Sequence, residues 1–197
     1  MSFESVNKFE KSIANFFGAP FAVAVDSCTH GIELSLRYLN EQSINVPCRT
    51  YLSIPFLSKK LGIQLNWVRK PWKDYYYLTD KVIDAAVLWK RNSYVPGKFM
   101  SISFQYQKHL SLGRGGMILC PDEMSYKTLK MMSYDGRTPD IPWRNQNIQI
   151  MGFHYYMTPE TAQLGIDKLD DALKLKPKIW NYEDWPDLTK MEVFHEK

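Results

Sequence analysis

Apolar residues along this chain follow two alternating rhythms. Val6, Phe9, Ile13, Phe16 and Phe17 recur at helical spacing between Ser5, a candidate cap, and Gly18, a candidate stop, and predict an amphipathic opening helix. The run Phe21 to Val25 predicts a strand, and Ile32, Leu34, Leu36 and Leu39 after Thr29 predict a helix. The same order then returns as a strand at Ile44 to Val46, a helix from about Leu52 to Leu61 and a strand from Ile63 to Val68. Strand, helix and strand in succession build parallel sheets with helices on their faces.

The middle of the chain breaks this rhythm. Lys70 to Asp80 is aromatic and polar without a period, and a brief strand, Val82 to Asp84, follows it. Phe99 to Phe104 and Gly116 to Cys120 read as two further strands. Pro121 and Asp122 lead into a helix through Met124, Leu129 and Met132, ended by Asp135-Gly136-Arg137. After a polar loop from Thr138 to Gln149, Thr158 caps a helix with Pro159 in its first turn and Ala162, Leu164, Ile166, Leu169 and Leu173 on its apolar face. From Pro177 onward the pattern is too mixed to assign, and no internal repeat is visible.

Composition narrows the class. With 197 residues, 45% of them hydrophobic, the chain can bury one core. The net charge of +4 is scattered rather than gathered into a stripe, so nucleic-acid binding is not indicated, although a mild excess of positive charge draws in anions. Cys28, Cys48 and Cys120 are odd in number and lack paired spacing, which argues against a disulfide framework or a structural zinc site and for a reducing, cytoplasmic setting. No metal site is expected. The first residues, Met1 to Lys8, lack a basic-then-apolar signal pattern, and no apolar run reaches the roughly 18 residues of a membrane span.

Several residues could carry chemistry. Lys108 lies between two predicted strands and just before Gly113, Gly115 and Gly116; a lysine beside a concave, backbone-rich site can have its pKa lowered and act as a nucleophile, whereas the plain alternative is a solvated loop lysine. Asp26-Ser27-Cys28-Thr29 joins a strand to a helix start, where free N–H groups and hydroxyls hold phosphates, though Ser and Thr there serve equally as caps. Asp84 ends a strand, where a carboxylate can hold a ring nitrogen protonated or simply cap a turn. Tyr51 could stack on a ring or belong to a core.

Taken in order, these segments resemble the sugar aminotransferases of the DegT/DnrJ/EryC1/StrS family. Ser27-Cys28-Thr29 is similar to the family's Ser-Gly-Thr turn, Pro47-Cys48-Arg49-Thr50-Tyr51 to its Pro-x-x-Thr-aromatic segment, and Asp84-Ala85-Ala86 to its Asp-Ala-Ala stretch. Ser103-Phe104 through Lys108 to Gly113-Arg114-Gly115-Gly116 resembles the signature Ser-Phe-x-x-x-Lys-x-x-x-x-Gly-x-Gly-Gly. The resemblance, which runs from about Phe9 to Leu173, implies a three-layer α/β/α fold with a mainly parallel sheet, a minimal form of the type I fold of pyridoxal-phosphate enzymes. It implies a cofactor domain over 1–176, with the tail 177–197 standing in place of the family's small domain.

The resemblance also implies roles. Lys108 is the Schiff-base lysine and Asp84 the partner of the pyridine nitrogen. Ser27, Cys28, Thr29 and Ser103 contact the phosphate of pyridoxal 5'-phosphate, and Tyr51 covers its ring. His154 stands where family members carry an asparagine that reaches the phosphate of a neighbouring subunit, which implies a homodimer. The implied reaction moves an amino group, from glutamate as donor, to a keto sugar linked to a nucleotide, with Arg114 or Arg137 on a basic rim meeting a diphosphate or carboxylate. The chain departs from the family in its abbreviated stretch between Val68 and Val82 and in its short C-terminus, in Cys28 where glycine is usual, Val87 where a polar group is usual and Arg114 where an acid is common. Two other readings remain open: a pyridoxal-phosphate enzyme for a different small amine or keto compound, and a catalytically inactive scaffold or binding protein.

Overall fold

Helix α1, Glu4–Phe17, turns its apolar stripe inward and ends at Gly18, whose φ of 75° closes the last turn by a bond to Ala14 O. A computed structural model describes residues 3–195, so the first two residues and the last two of the 177–197 tail lie outside the described residues. Ser5 is not the cap: Phe3 holds that position, and the Ser5 hydroxyl sits one turn inside, donating to Pro159 O at 3.1 Å and tying α1 to the start of α5, Pro159–Lys174. Strand β1, Phe21–Val25, then helix α2, Cys28–Tyr38, strand β2, Ser43–Pro47, helix α3, Ser53–Leu61, and strand β3, Gln64–Val68, follow within a residue or so of the periodic pattern.

The remaining strands are β4, Tyr76–Tyr77, β5, Val82–Asp84, β6, Phe99–Ser103, and β7, Gly116–Cys120, with helix α4, Glu123–Ser133, between β7 and α5. The main sheet has the order β1-β7-β6-β5-β4, and β2 with β3 forms a separate parallel pair. The expectation of a mainly parallel sheet is corrected here. Only β5 and β6 run parallel in the main sheet; β7 is antiparallel to both β1 and β6, and β4 is antiparallel to β5. The reason is the connection between β6 and β7, which has no crossover helix, and a parallel return needs one. Asn45 N donates to Leu78 O at 2.8 Å and links the β2–β3 pair to the end of β4.

Helices cover both faces, as the three-layer expectation required. Phe9, Ile13 and Phe17 of α1 join Ala162 and Leu169 of α5 over Ala22, Ala24, Met100, Ile102, Met117 and Leu119. The alternate residues of the same strands face the other way, where Val23, Val25 and Ile118 meet Leu34 of α2 and Leu129 of α4. Strand side chains alternate between faces, so each strand feeds both cores. Each fully buried ring such as Phe9 contributes about 1.5–3 kcal/mol.

One buried charge seals an edge. Glu10, on the apolar side of α1, accepts from Ala24 N at 2.9 Å and from Lys130 Nζ at 2.6 Å. Burial raises its pKa, an effect that the Lys130 ammonium and these bonds oppose. The unassigned tail returns across the molecule as short 3₁₀ turns at Tyr182–Asp184, Leu188–Lys190 and Glu192–Phe194. Leu188 is buried and its N–H bonds Cys48 O at 2.8 Å, while the Phe194 ring lies 5.3 Å from Phe56 and 5.4 Å from Trp67. Among the described residues, no helix is long and apolar enough to cross a membrane.

Candidate active site

The connection from β6 to β7 is folded by its own backbone. Phe104 N bonds Gly115 O at 2.9 Å, Tyr106 N bonds Gly113 O at 3.0 Å, and Lys108 N bonds Gln105 O at 2.8 Å. Leu110 and Leu112 anchor it in the core, which leaves Lys108 to project from a rigid loop. Gly116 explains the end of the glycine run: a Cβ there would lie 2.4 Å from Cys28 N and 2.5 Å from Ser27 C. Only a bare Cα lets β7 touch the start of α2 and bring the lysine loop beside it. Gly116→Ala is therefore expected to cost about 3 kcal/mol, since both colliding partners are backbone. Chemical denaturation of the variant checks this, and a midpoint equal to wild type would contradict so close an approach.

At the start of α2, Ser27 is a true N-cap, its Oγ accepting from His30 N at 3.2 Å. Thr29 Oγ1 lies 2.7 Å from Ser53 Oγ, so a second hydroxyl joins the first turn from α3. The helix also presents its leading N–H groups there, which favour an anion. The Cys28 thiol faces inward, donating to Ser101 O at 3.4 Å, and burial pushes its pKa well up, which makes it a packing group rather than a nucleophile. Just before the turn, Asp26 holds His30 Nδ1 at 2.6 Å and Arg114 Nη2 at 2.8 Å.

Asp84 sits deeper. It is buried, and both oxygens are engaged: Tyr76 OH donates to Oδ2 at 2.5 Å and Ala86 N to Oδ1 at 2.9 Å. Tyr76 in turn is 2.6 Å from Thr50 Oγ1, giving a buried line from Thr50 through Tyr76 to Asp84. Burial raises the Asp84 pKa, while the Tyr76 and Ala86 bonds and the Lys108 charge lower it. Lys108 is shifted the other way, its pKa lowered by burial against the pull of Cys28 and Asp84, with Lys178 adding to the lowering. The amine and the carboxylate thus share one electrostatic neighbourhood.

Lys108, Ser27, Thr29, Tyr51 and Arg114 line one cavity of about 360 Å³. Asp84 and Cys28 lie beneath it rather than on its wall. Ser103 lines a small recess next to Lys108, and its Oγ accepts from Gln105 N at 3.3 Å. His154 is apart: its side chain is 71% exposed and its Nδ1 lies 3.0 Å from Asp135 Oδ2. The two arginines considered together for a basic rim are also separated. Arg114 borders the Lys108 cavity, while Arg137 lies over the Tyr134 ring at 4.3 Å and faces a groove of about 740 Å³ between α1 and α4. Sequence reasoning missed Ser53, Tyr76, Asp184, Trp180 and Trp185. The signal that could have flagged the last two is the density of aromatic residues in the tail, Trp180, Tyr182 and Trp185.

The sequence profile of the DegT/DnrJ/EryC1/StrS aminotransferase family matches residues 1–54 and 94–182. The chain belongs to that family. The gap in the match, residues 55–93, takes in the abbreviated stretch between Val68 and Val82 and also Asp84-Ala85-Ala86. This DegT-family chain is 24% identical to the uncharacterized protein MJ1066 of Methanocaldococcus jannaschii, over 89% of its own length and 61% of that protein's. Its fold is similar to AtS13 from Actinomadura melliaura, with a TM-score of 0.77 at 19% identity over 88% of this chain and 61% of that one. It is also similar to Spr1654 from Streptococcus pneumoniae, assigned as a sugar aminotransferase and solved in a PLP form, with a TM-score of 0.71 at 18% identity over 87% of this chain and 60% of that one. The DegT-family chain thus spans about three fifths of the length of these relatives.

Proposed function

We propose that the Lys108 cavity binds pyridoxal 5'-phosphate and that the chain is an aminotransferase, moving an amino group from an amino acid, glutamate, to the keto group of a nucleotide-linked sugar. The observation that carries this reading is the grouping of a lowered-pKa lysine, a helix N-terminus with two hydroxyls, and a buried carboxylate around one cavity. These residues fit the cofactor's three chemical parts. The first turn of α2, with Ser27, Cys28 and Thr29, receives the phosphate, joined by Ser103. Asp84, kept in place by Tyr76 and Ala86, faces the ring nitrogen, and Tyr51 covers the ring. Lys108 supplies the amine.

Bound there, pyridoxal phosphate supplies an aldehyde that captures amines and a ring that draws electrons from the reacting carbon. The chain's own part is positional and protolytic. Lys108 Nζ, with its pKa lowered by burial, gives up its proton more readily than a surface lysine. Asp84, its proton affinity set against Tyr76 OH, holds a proton on the ring nitrogen. Arg114 offers a guanidinium at the rim to a diphosphate or carboxylate.

A homodimer accords with this scheme, because the exposed His154, held at Nδ1 by Asp135, lies on the surface where a partner copy's phosphate site could meet it. In this reading residues 1–176 form the cofactor domain and the segment after it packs across that domain's cavity. The cysteines are unpaired thiols, in keeping with a reducing cytoplasm. The break in the family match over residues 55–93 favours, as a second reading, a scaffold that kept the fold and lost turnover. Titration with pyridoxal phosphate, then borohydride and peptide mapping, then a screen of amino acids against keto sugars, separates the two. The expected result is a visible band that glutamate bleaches in one sample and that borohydride, in another, converts to cofactor fixed on Lys108; no trapped cofactor at any concentration leaves the scaffold.

A further inference from the structure

The tail does more than fold back. After α5 the chain crosses the mouth of the Lys108 cavity, and Trp180 and Trp185 line it together with Asp184. Their indoles are stacked, with centroids 5.6 Å apart and planes 20° from parallel. The Lys108 Nζ lies 4.4 Å from the Trp180 ring centre and 5.8 Å from that of Trp185, within cation–π distance of both. Tyr51, which lines the same cavity, meets Trp185 edge-on at 6.3 Å.

This arrangement is anchored, not incidental. Arg49 Nη1 donates to Trp185 O at 2.6 Å, Leu188 N bonds Cys48 O at 2.8 Å, and Leu188 is buried. These anchors fall in Cys48 and Arg49, beside Tyr51 in the segment that follows β2.

We propose that Trp180 and Trp185 are positioning residues of the Lys108 site: they form its closing wall, shield the amine, and offer aromatic faces to the planar molecule that occupies the cavity. The proposal rests on the reading of Lys108 as the cofactor lysine for the identity of that molecule, but not for the wall itself. The groups facing Lys108 are Cys28 and Asp84 from below and Lys178 from the tail, whose Nζ is 4.1 Å from the same Trp180 ring.

The test has two arms on the full chain. In the first, lysines are acetylated with acetic anhydride over a range of pH without cofactor, and the limiting rate at Lys108, where the amine is neutral, is read by peptide mass spectrometry. The paired variant Trp180→Ala, Trp185→Ala is expected to raise that rate about tenfold, while Trp180→Phe, Trp185→Phe keeps it near wild type because the faces remain. In the second, the dissociation constant of pyridoxal phosphate is expected to rise about tenfold in the alanine pair, equivalent to about 1.4 kcal/mol. An unchanged Lys108 rate in the alanine pair overturns the wall, as does a phenylalanine pair that labels as fast as the alanine pair. If the wild type binds pyridoxal phosphate and the alanine pair binds it equally well, the wall is again overturned. If labelling follows the expectation but no form of the protein takes up pyridoxal phosphate, the wall stands and the cofactor reading falls. Circular dichroism confirms that each variant is folded, and should the alanine pair unfold, the single variants Trp180→Ala and Trp185→Ala carry the same comparison, an unchanged Lys108 rate in both overturning the wall.

Discussion

Lys108→Ala is expected to abolish pyridoxal phosphate trapped by borohydride and to cut amino transfer by about 10⁴-fold, the upper range for losing a positioned proton carrier. The fold is expected to survive, because Lys108 projects into the cavity while Leu110 and Leu112 anchor its loop in the core. Peptide mapping after reduction gives the first readout and a coupled amino-transfer assay the second. Trapped cofactor on another lysine, at the wild-type yield, would remove Lys108 from its role.

Asp84→Asn carries the second large effect, and its consequences for turnover and stability run in opposite directions. Replacing the carboxylate removes a charge set to stabilise the protonated ring, with an expected loss of about 10²- to 10³-fold in turnover. Stability follows proton linkage. Burial raises the folded pKa of Asp84 above its unfolded value, so its contribution is full below the unfolded carboxylate range and declines as pH rises through the raised folded value. Asparagine cannot ionise and removes that decline. Its amide also suits the site, since the contact between Tyr76 and Thr50 can take either direction of donation: Tyr76 can turn its proton to Thr50 and accept from the amide, while Ala86 N still finds the amide oxygen. At neutral pH the variant is thus expected to melt at or above the wild-type temperature while losing activity. Thermal melts from acid to neutral pH check this, and a variant that falls progressively below wild type as pH rises would reverse the assigned sign.

The helices and six of the seven strands were legible because their signal is local. Periodic apolar residues sit within each element, and Ser27, Asp122 and Thr158 mark helix starts by their own side chains. What depends on partners distant in sequence was less visible. Strand β4 is only Tyr76–Tyr77 and exists because it pairs with β5, so no period could announce it. The direction of β7 was recoverable in principle: Lys108 and the glycine run were read as a loop with no helix, and that alone argues for an antiparallel return.

The candidate site divides along the same line. Lys108, Thr29 and Tyr51 were found by residue type and spacing and do meet in one cavity, whereas the support of Asp84 by Tyr76 came from a stretch without pattern. The two tail tryptophans reach Lys108 across more than seventy residues of intervening chain, and nothing in Pro177 to Trp185 taken alone says what they will cover.

At the flank of the main sheet, the outer edge of β1 is already spoken for. Glu10 takes the Ala24 N–H, Asp26 N bonds Tyr155 O at 2.8 Å, and Val25 bridges Tyr156, so the positions a visiting strand would need along the C-terminal part of β1 are occupied by the chain itself. A row of unpaired edge groups is the usual template for runaway sheet growth. At this end the molecule is protected from edge-to-edge aggregation by one ion-paired carboxylate and two tyrosine backbones, and a second copy approaching here must dock through helices and loops.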